Sequence, residues 1–290
     1  MKKSYLNRII LWSIERFPLV QIITAFLTFT IVCISLAGVN FSVIARGTWI
    51  VLSLLLLLRV LDEHKDFVSD SVAHPERLLQ KGVLSLNDLK WLASFFCIVS
   101  LLLVLSFEVN LPIVFSLCAL IAWIYLMYKE FFLKEWLSQK LFLYSVSHLF
   151  VSPFIIYFCA CLVGTQNSQT IFYTMAVSFF SAFSYEVARK IKGKNEVNLL
   201  ESNYVNSYGM LGPLILFVTV SILAVYSSTF LIQMDTFKLG FYIFSGCYVV
   251  ATSCLFYFKP QKNMRKLNEA SAATIGLVSF IIPLLKLFYA

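Results

Sequence analysis

Charge is scarce in this chain. Only 13% of its 290 residues are Asp, Glu, Lys or Arg, roughly half the share of a soluble domain, while 60% are hydrophobic and the mean hydropathy is +0.83. The sequence has no polar stretch long enough to form a sizeable soluble domain. Apolar runs close to the ~20 residues that cross a bilayer recur along it instead. These absences exclude a soluble globular protein and predict a single all-α integral membrane domain over residues 1–290.

Nine apolar runs are long enough to be transmembrane helices. They cover residues 18–37, 42–61, 89–107, 111–128, 141–164, 169–188, 208–233, 239–258 and 268–289. If the N-terminus is cytoplasmic, all of the 23 Lys and Arg residues except Arg46, Lys238 and Lys286 fall on the cytoplasmic side, as the positive-inside rule requires. The sequence therefore predicts nine spans with a cytoplasmic N-terminus, packed as a bundle around a central cavity with a polar cytoplasmic cap.

Cysteine ligand patterns and nucleic-acid motifs are also missing. The seven cysteines lie within the apolar runs, and only Cys159 and Cys161 are close in sequence, so we predict that they are small buried hydrophobes. The formal net charge of +8 does not indicate nucleic-acid binding, because the cations lie in short loops along one membrane face. Anionic lipid headgroups and a diphosphate-bearing substrate are the expected partners, and the sequence indicates no protein partner.

The charges that are present concentrate after the second apolar run. Asp62, Asp66 and Asp70 are four residues apart and would share one face of a helix. Like charges on one face repel each other by about 0.2–0.5 kcal/mol per pair, so a compensating cation is expected. Mg²⁺ is suitable, because it takes one or two protein carboxylates and completes its shell with water and substrate phosphate. We therefore predict that these aspartates are catalytic and bind Mg²⁺.

Cations and helix breakers follow the aspartates. Pro75 disfavours helical geometry at His74, and Gly82 supplies a second break, so the chain is expected to turn after the aspartate helix. Lys65 and Arg77 would then lie beside the carboxylates. Both residue types bind phosphate oxygens, Arg in a bidentate manner and Lys as a point charge, so we predict that they bind a diphosphate.

Two later polar loops carry further candidates. Lys129 and Lys134 lie in the first of them and are candidate diphosphate ligands. In the second, Glu186 is followed by Arg189 and Lys190. One interpretation makes Glu186 a metal ligand and the two cations diphosphate ligands. The other makes Glu186 and Lys190 an ordinary i,i+4 ion pair on one helix.

These motifs resemble those of a known family. Asp62-x-x-x-Asp66-x-x-x-Asp70, followed by His-Pro-Glu-Arg-Leu-Leu-x-x-Gly, is similar to the first signature of the UbiA superfamily of intramembrane prenyltransferases. Residues 15–18, Glu-Arg-Phe-Pro, are similar to the start of the family. The resemblance covers essentially the whole chain. It implies an all-helical bundle around a cavity open to lipid, in which two acidic motifs bind Mg²⁺ and a prenyl diphosphate.

The second half of the sequence departs from the family pattern. The stretch that matches the family's second signature, Asp-x-x-x-Asp, reads Glu186-x-x-x-Lys190, so Lys190 would replace the charge of a metal ion. The segment 192–206 is also longer than the family's compact loop. By the resemblance, Arg77 and either Lys129 or Lys134 fall where the family has diphosphate-binding cations. The chain looks like a divergent branch of the superfamily.

The predicted function is Mg²⁺-dependent transfer of a prenyl group from a (poly)prenyl diphosphate to a lipophilic acceptor, an aromatic one included. A membrane terpene cyclase of the same superfamily is one alternative. A non-catalytic lipid-binding protein or a cation transporter is another. The expected location is the bacterial inner (plasma) membrane, crossed several times, with the active site facing the cytoplasm.

Overall fold

The computed structural model describes residues 4–17, 19–34, 41–164, 167–193, 203–231 and 236–284, and within them helix is the only regular secondary structure. A 3₁₀ turn lies at Glu130–Phe132. The α-helices are α1 (Tyr5–Arg16), α2 (Val20–Ile34), α3 (Phe41–Ala73), α4 (Leu86–Val104), α5 (Leu111–Tyr128), α6 (Lys134–Ser138), α7 (Leu141–Leu149), α8 (Val151–Leu162), α9 (Ser168–Lys190), α10 (Tyr204–Tyr208), α11 (Leu211–Thr229), α12 (Thr236–Phe258) and α13 (Lys262–Leu284).

Seven stretches of the described chain are long and apolar enough to cross a membrane. They lie in α3, α4, α5, α7 with α8, α9, α11 and α12. An eighth is added if α1 and residues 20–30 of α2, which meet at a 71° bend, form one span. The protein is therefore a multi-pass all-α integral membrane protein, and every predicted apolar run contains a helix.

The predicted count of nine spans is not confirmed. Helix α13, at the last apolar run, carries four charges in its first two turns, which shorten its apolar part: Lys262, Arg265, Lys266 and Glu269. Parts of the first and last predicted runs, at residues 18, 35–37 and 285–289, lie outside the described residues. The cytoplasmic N-terminus, the central cavity and the polar cap stay predictions.

The described chain divides into two compact units. The first holds α1, residues 20–30 of α2, α3, α4 and α5, and the second holds α6 to α13. That residues 1–290 act as one domain stays a prediction.

The first unit is built around the packing of α3 on α4. Its buried core contains Trp12, Leu56, Val60, Leu79, Leu84, Leu89 and Ala93. Because Trp12 is fully buried there, α1 is docked on this unit. Gly47 of α3 lies against the ring of Phe29, where a Cβ atom would be 2.0 Å from a ring carbon. The close approach of α2 and α3 therefore requires glycine at this position.

Helix α3 is continuous over 33 residues, so it runs past the predicted end of its span at residue 61 and carries all three aspartates. It ends at Ala73, before Pro75, as predicted. Gly82 is the predicted second break and has a φ of +67°. Ser85 then caps α4 through reciprocal hydrogen bonds with Asp88.

The second unit is built around α9, which packs on α8, α11 and α13. Hydroxyl side chains join its helices: the oxygens of Ser184 (α9) and Ser221 (α11) are 2.6 Å apart, and those of Thr252 (α12) and Ser271 (α13) are 3.0 Å apart. Such small polar residues are common where helices meet inside a membrane. The packing fixes α9 along its length, and the C-terminal end of α9 carries the second set of candidate residues.

The cysteine prediction is only partly correct. Cys159 is fully buried, but Cys118, Cys247 and Cys254 are exposed on the faces of their helices. An outward position on a membrane span faces lipid, which is as apolar as a protein core, so composition does not distinguish the two environments. The side chain of Cys33 lies outside the described part of the chain.

Candidate functional site

The first two predicted aspartates lie one turn apart near the end of α3. Asp62 is half-exposed, at 51% of its side-chain surface, and its Oδ1 is 3.9 Å from Nζ of Lys65. Asp66 follows on the same face and is partly exposed. Because Cβ atoms at i and i+4 are about 5–6 Å apart, these two carboxylates are close enough to share one ligand.

The third aspartate is engaged by guanidinium groups. Oδ2 of Asp70 accepts a hydrogen bond from Nη1 of Arg77 and lies 3.8 Å from Nη2 of Arg16. Arg77 reaches α3 because the chain turns at Pro75. The structure thus places Arg77 beside the aspartates, as expected, and there it binds Asp70. Its role toward a diphosphate stays a prediction.

Glu63, a buried carboxylate that was not predicted from the sequence, lies beside the three aspartates of α3. Glu63 is only 2% exposed, and its Oε1 accepts hydrogen bonds from Nε of Arg16 at 2.6 Å and Nη2 of Arg59 at 2.7 Å. Arg16 therefore contacts both Glu63 and Asp70 and ties α1 to α3. The i,i+4 spacing of Arg59 and Glu63 is a sequence signal for the local pair. The contact between Glu63 and Arg16 joins residues 47 positions apart in the sequence, so no local sequence pattern indicates it.

Further contacts hold α1 along the turns that follow α3. The backbone N–H of Leu78 donates to Oε2 of Glu15 at 3.1 Å. Nη1 of Arg8 donates to the carbonyl oxygen of Val83 at 3.2 Å. Glu15 and Arg16, the first two residues of the family-like sequence Glu-Arg-Phe-Pro, therefore anchor α1.

The spacing of the α3 carboxylates limits how many of them could hold one magnesium ion. Within the described segments, no three His, Cys, Asp or Glu side chains converge as a metal site. Asp62 and Asp70 are about 12 Å apart along the helix axis, too far to share one ion. Asp62 and Asp66 are therefore the candidate ligand pair, because Asp70 is paired with Arg77 and Arg16 and Mg²⁺ is commonly held by one or two carboxylates with substrate phosphates completing its shell.

In the second unit, Glu186 forms two ion pairs within its own helix. Its Oε1 is 2.7 Å from Nζ of Lys190, and its Oε2 accepts a hydrogen bond from Nη2 of Arg189 at 2.7 Å. The Lys190 ammonium also lies 5.6 Å from the ring centroid of Tyr144, within the range of a cation–π contact. Of the two interpretations of this stretch, the structure contains the i,i+4 ion pair. A metal-ligand role for Glu186 stays a prediction.

Close contacts hold the residues that follow α9, at positions 192 and 193 and again at 203 and 204. The side chain of Asn203 donates to the carbonyl oxygen of Lys192 and accepts from its N–H, both at 3.4 Å. A Cβ atom at Gly193 would be 2.1 Å from the carbonyl oxygen of Pro260. Tyr204 is fully buried, and burial, with the nearby charge of Glu186, raises its pKa to about 12. Residues 194–202, most of the long segment seen in the sequence, lie outside the described residues.

Lys129 and Lys134 are both exposed in the second unit. Lys129 precedes the 3₁₀ turn, and Lys134 is the first residue of α6. Their role as diphosphate ligands stays a prediction.

An apolar pocket of about 320 Å³ lies between α11 and α12. Its walls include Val218, Tyr226, Leu239 and Ile243, and no charged side chain lines it. It suits a hydrocarbon chain and not a diphosphate.

These features define a class of protein: a multi-pass membrane protein whose long apolar helices end in clusters of carboxylates and cations. Solved structures identify its fold. The chain is similar to a structure of digeranylgeranylglyceryl phosphate synthase, with a TM-score of 0.65 and 17% identity over 97% of this chain and 99% of that one. It is also similar to the apo structure of a UbiA homolog from Aeropyrum pernix K1, with a TM-score of 0.67 and 11% identity over 91% and 98% of the two chains.

No family model matches the sequence, and no curated protein matches it. The chain has the UbiA fold, and the resemblance seen in its aspartate motif is confirmed at the level of that fold.

Proposed function

We propose that this protein is a prenyltransferase that works within the membrane, taking a (poly)prenyl diphosphate and transferring its prenyl group to a lipophilic acceptor with Mg²⁺ as cofactor. The observation that supports this best is the meeting of carboxylates and cations at the end of α3, Asp62 with Lys65 and Asp70 with Arg77, in a chain with the UbiA fold. Ionisable groups on membrane helices are costly and by default mark a functional site. A metal-bound diphosphate requires both signs of charge.

In this proposal, Asp62 and Asp66 hold the magnesium ion. When bound, the ion neutralises the diphosphate and makes it a better leaving group. Lys65 contacts the diphosphate as a point charge, and Arg77 exchanges Asp70 for phosphate oxygens, which its planar guanidinium binds in a bidentate manner. Charge also supports Lys129, Lys134, Arg189 and Lys190 as further diphosphate ligands.

Departure of the diphosphate leaves an allylic carbocation, and the apolar helices keep water away from it. A carbon of the acceptor attacks the cation and afterwards loses its proton. The distribution of Lys and Arg supports a cytoplasmic active site, and we propose the bacterial inner membrane as the location.

The proposal is tested by measuring diphosphate release from geranyl, farnesyl and geranylgeranyl diphosphate by the purified protein in lipid nanodiscs with Mg²⁺. Asp66→Ala is expected to lower release by roughly 100-fold, because it removes one of the two metal carboxylates. Glu108→Ala is the matched control, since it removes an exposed carboxylate from the turn after α4. Unchanged release in Asp66→Ala contradicts the proposal.

The same assay separates the alternatives. Mass spectrometry of the products formed without an added acceptor detects a cyclised hydrocarbon if the protein is a terpene cyclase. A transferase instead requires acceptor for a prenylated product. If no prenyl diphosphate is consumed, a lipid-binding or transport function is favoured.

A further inference from the structure

We propose that the charged end of α9, defined as Glu186, Arg189 and Lys190, is a site that binds diphosphate oxygens directly, without a metal ion. A single metal ion, on α3, would then serve the reaction. This assignment rests on the proposed function and deepens it, because it states which chemistry the end of α9 offers to a diphosphate.

The carboxylate of this site is already neutralised. Each oxygen of Glu186 has a cationic partner 2.7 Å away, Lys190 for Oε1 and Arg189 for Oε2. A metal ion would have to displace one of these partners. The three groups together carry one net positive charge, which repels a dication and attracts an anion.

Both cations keep donors for a ligand. An ammonium has three N–H donors and a guanidinium five, and each ion pair with Glu186 uses one of them. The side chain of Arg189 is 53% exposed, so much of its guanidinium group is accessible. The side chain of Lys190 is only 12% exposed and lies near the Tyr144 ring. The site therefore combines an accessible bidentate donor with a more fixed point charge, a combination that suits phosphate.

The backbone that carries these side chains is fixed. Asn203 holds both backbone groups of Lys192, and Gly193 lies against Pro260. Ile191, between the cations and these anchors, is fully buried. A site whose groups are positioned before the ligand arrives loses less entropy on binding, which favours affinity for the ligand.

The first experiment counts metal ions. Electron paramagnetic resonance of Mn²⁺ is recorded with the purified protein in nanodiscs and inorganic pyrophosphate. We expect one bound Mn²⁺ per chain, lost in Asp66→Asn and kept in Glu186→Gln. Two bound Mn²⁺ ions per chain, one of which disappears in Glu186→Gln, would overturn the assignment.

The second experiment measures pyrophosphate binding by calorimetry in EDTA. The native protein and Asp66→Asn are expected to bind equally, and the double variant Arg189→Gln, Lys190→Gln to bind at least tenfold more weakly. Lys262→Gln, which removes an exposed cation at the start of α13, is the matched control. The variant Arg189→Lys, Lys190→Arg keeps both charges and is expected to bind more tightly than the double Gln variant, which separates loss of charge from misfolding. Loss of all pyrophosphate binding in EDTA would overturn the proposal.

A lipid headgroup offers the same phosphate chemistry as the substrate. The calorimetry is therefore repeated in nanodiscs with and without phosphatidylglycerol. Equal affinity in both supports a substrate site, and displacement of pyrophosphate by phosphatidylglycerol contradicts it. Neither experiment depends on turnover, so failure of the prenyltransferase proposal would show separately, as absence of diphosphate release with Mg²⁺.

Discussion

The ends of α3 and α9 place carboxylates in similar positions, at the end of a long apolar helix, and neutralise them differently. On α3, Asp62 faces one ammonium at 3.9 Å, and its spacing from Asp66 allows both to share a ligand. On α9, Glu186 has two cations of its own helix at 2.7 Å. The first arrangement leaves Asp62 with a long ion pair, and the second has an excess of positive charge. Carboxylates at the same kind of helix end thus have different ion-pair partners, and we propose that these partners decide which of them binds metal.

The largest expected effect tests this difference directly. Asp66→Asn is expected to lower kcat/KM for diphosphate release by roughly 100-fold, because it removes half of the proposed metal-binding pair. Glu186→Gln is expected to lower it by less than about tenfold, because glutamine still accepts the hydrogen bond from Arg189. Steady-state kinetics over a range of Mg²⁺ concentrations measures both. Equal losses in the two variants would remove the distinction between the two ends.

The next effect concerns stability. Glu63→Ala leaves the guanidinium groups of Arg16 and Arg59 without their buried carboxylate, so we expect a loss of about 3 kcal/mol in the free energy of unfolding. Unfolding in mixed micelles measures this loss, with Glu108→Ala as the exposed control, expected to change by less than about 0.5 kcal/mol. If Glu63→Ala lowers the free energy of unfolding as little as Glu108→Ala does, the ion pairs of Glu63 do not hold α1 on α3.

A smaller effect is expected from the pair of Asp70 and Arg77. A double-mutant cycle with Asp70→Asn and Arg77→Gln should give a coupling energy of about 1 kcal/mol in unfolding experiments, because both side chains are partly buried. Additive losses would mean that the pair contributes nothing to stability. In binding experiments with pyrophosphate and Mg²⁺, Arg77→Gln should also weaken affinity, whereas an Arg77 that serves only structure would leave it unchanged.

The last effect, at Tyr204, is absent at neutral pH and develops only at alkaline pH. Its pKa of about 12 lies above the ordinary value of 10, so the unfolded chain loses this proton first and the folded state loses stability as pH rises from about 10 to about 12. At neutral pH the tyrosine is uncharged in both states. Tyr204→Phe keeps the ring and should unfold at the same point at neutral pH, with a weaker loss of stability above pH 10. Identical alkaline profiles for both proteins would contradict the shift.

Much of the fold could be predicted from the sequence, because the length of an apolar run decides whether a helix can cross a membrane. The ends of helices could not be predicted in this way. Helix α3 continues for three turns beyond its apolar part, and the run 141–164 breaks near Phe150, where Pro153 cannot donate a hydrogen bond to Leu149. The docking of α1 through Trp12 depends on tertiary packing, which the hydropathy of the sequence does not indicate.

The candidate site was predictable where chemistry is local. The i,i+4 spacing of the aspartates and the break at Pro75 correctly placed Arg77 beside Asp70. The ion pairs of Arg16 could not be predicted from the sequence, because its partners Glu63 and Asp70 are distant along the chain. For Glu186, the sequence left two interpretations open, since a metal ligand and an ion-paired carboxylate have the same spacing from a cation.

The contact between Gly193 and Pro260 means that position 193 does not tolerate a side chain. A saturation library at this codon should return only glycine among folded variants, because even a methyl group would have to push aside the main chain between α12 and α13. Recombination with distant relatives therefore has a boundary here: the segment after α9 and the turn before α13 must be exchanged together.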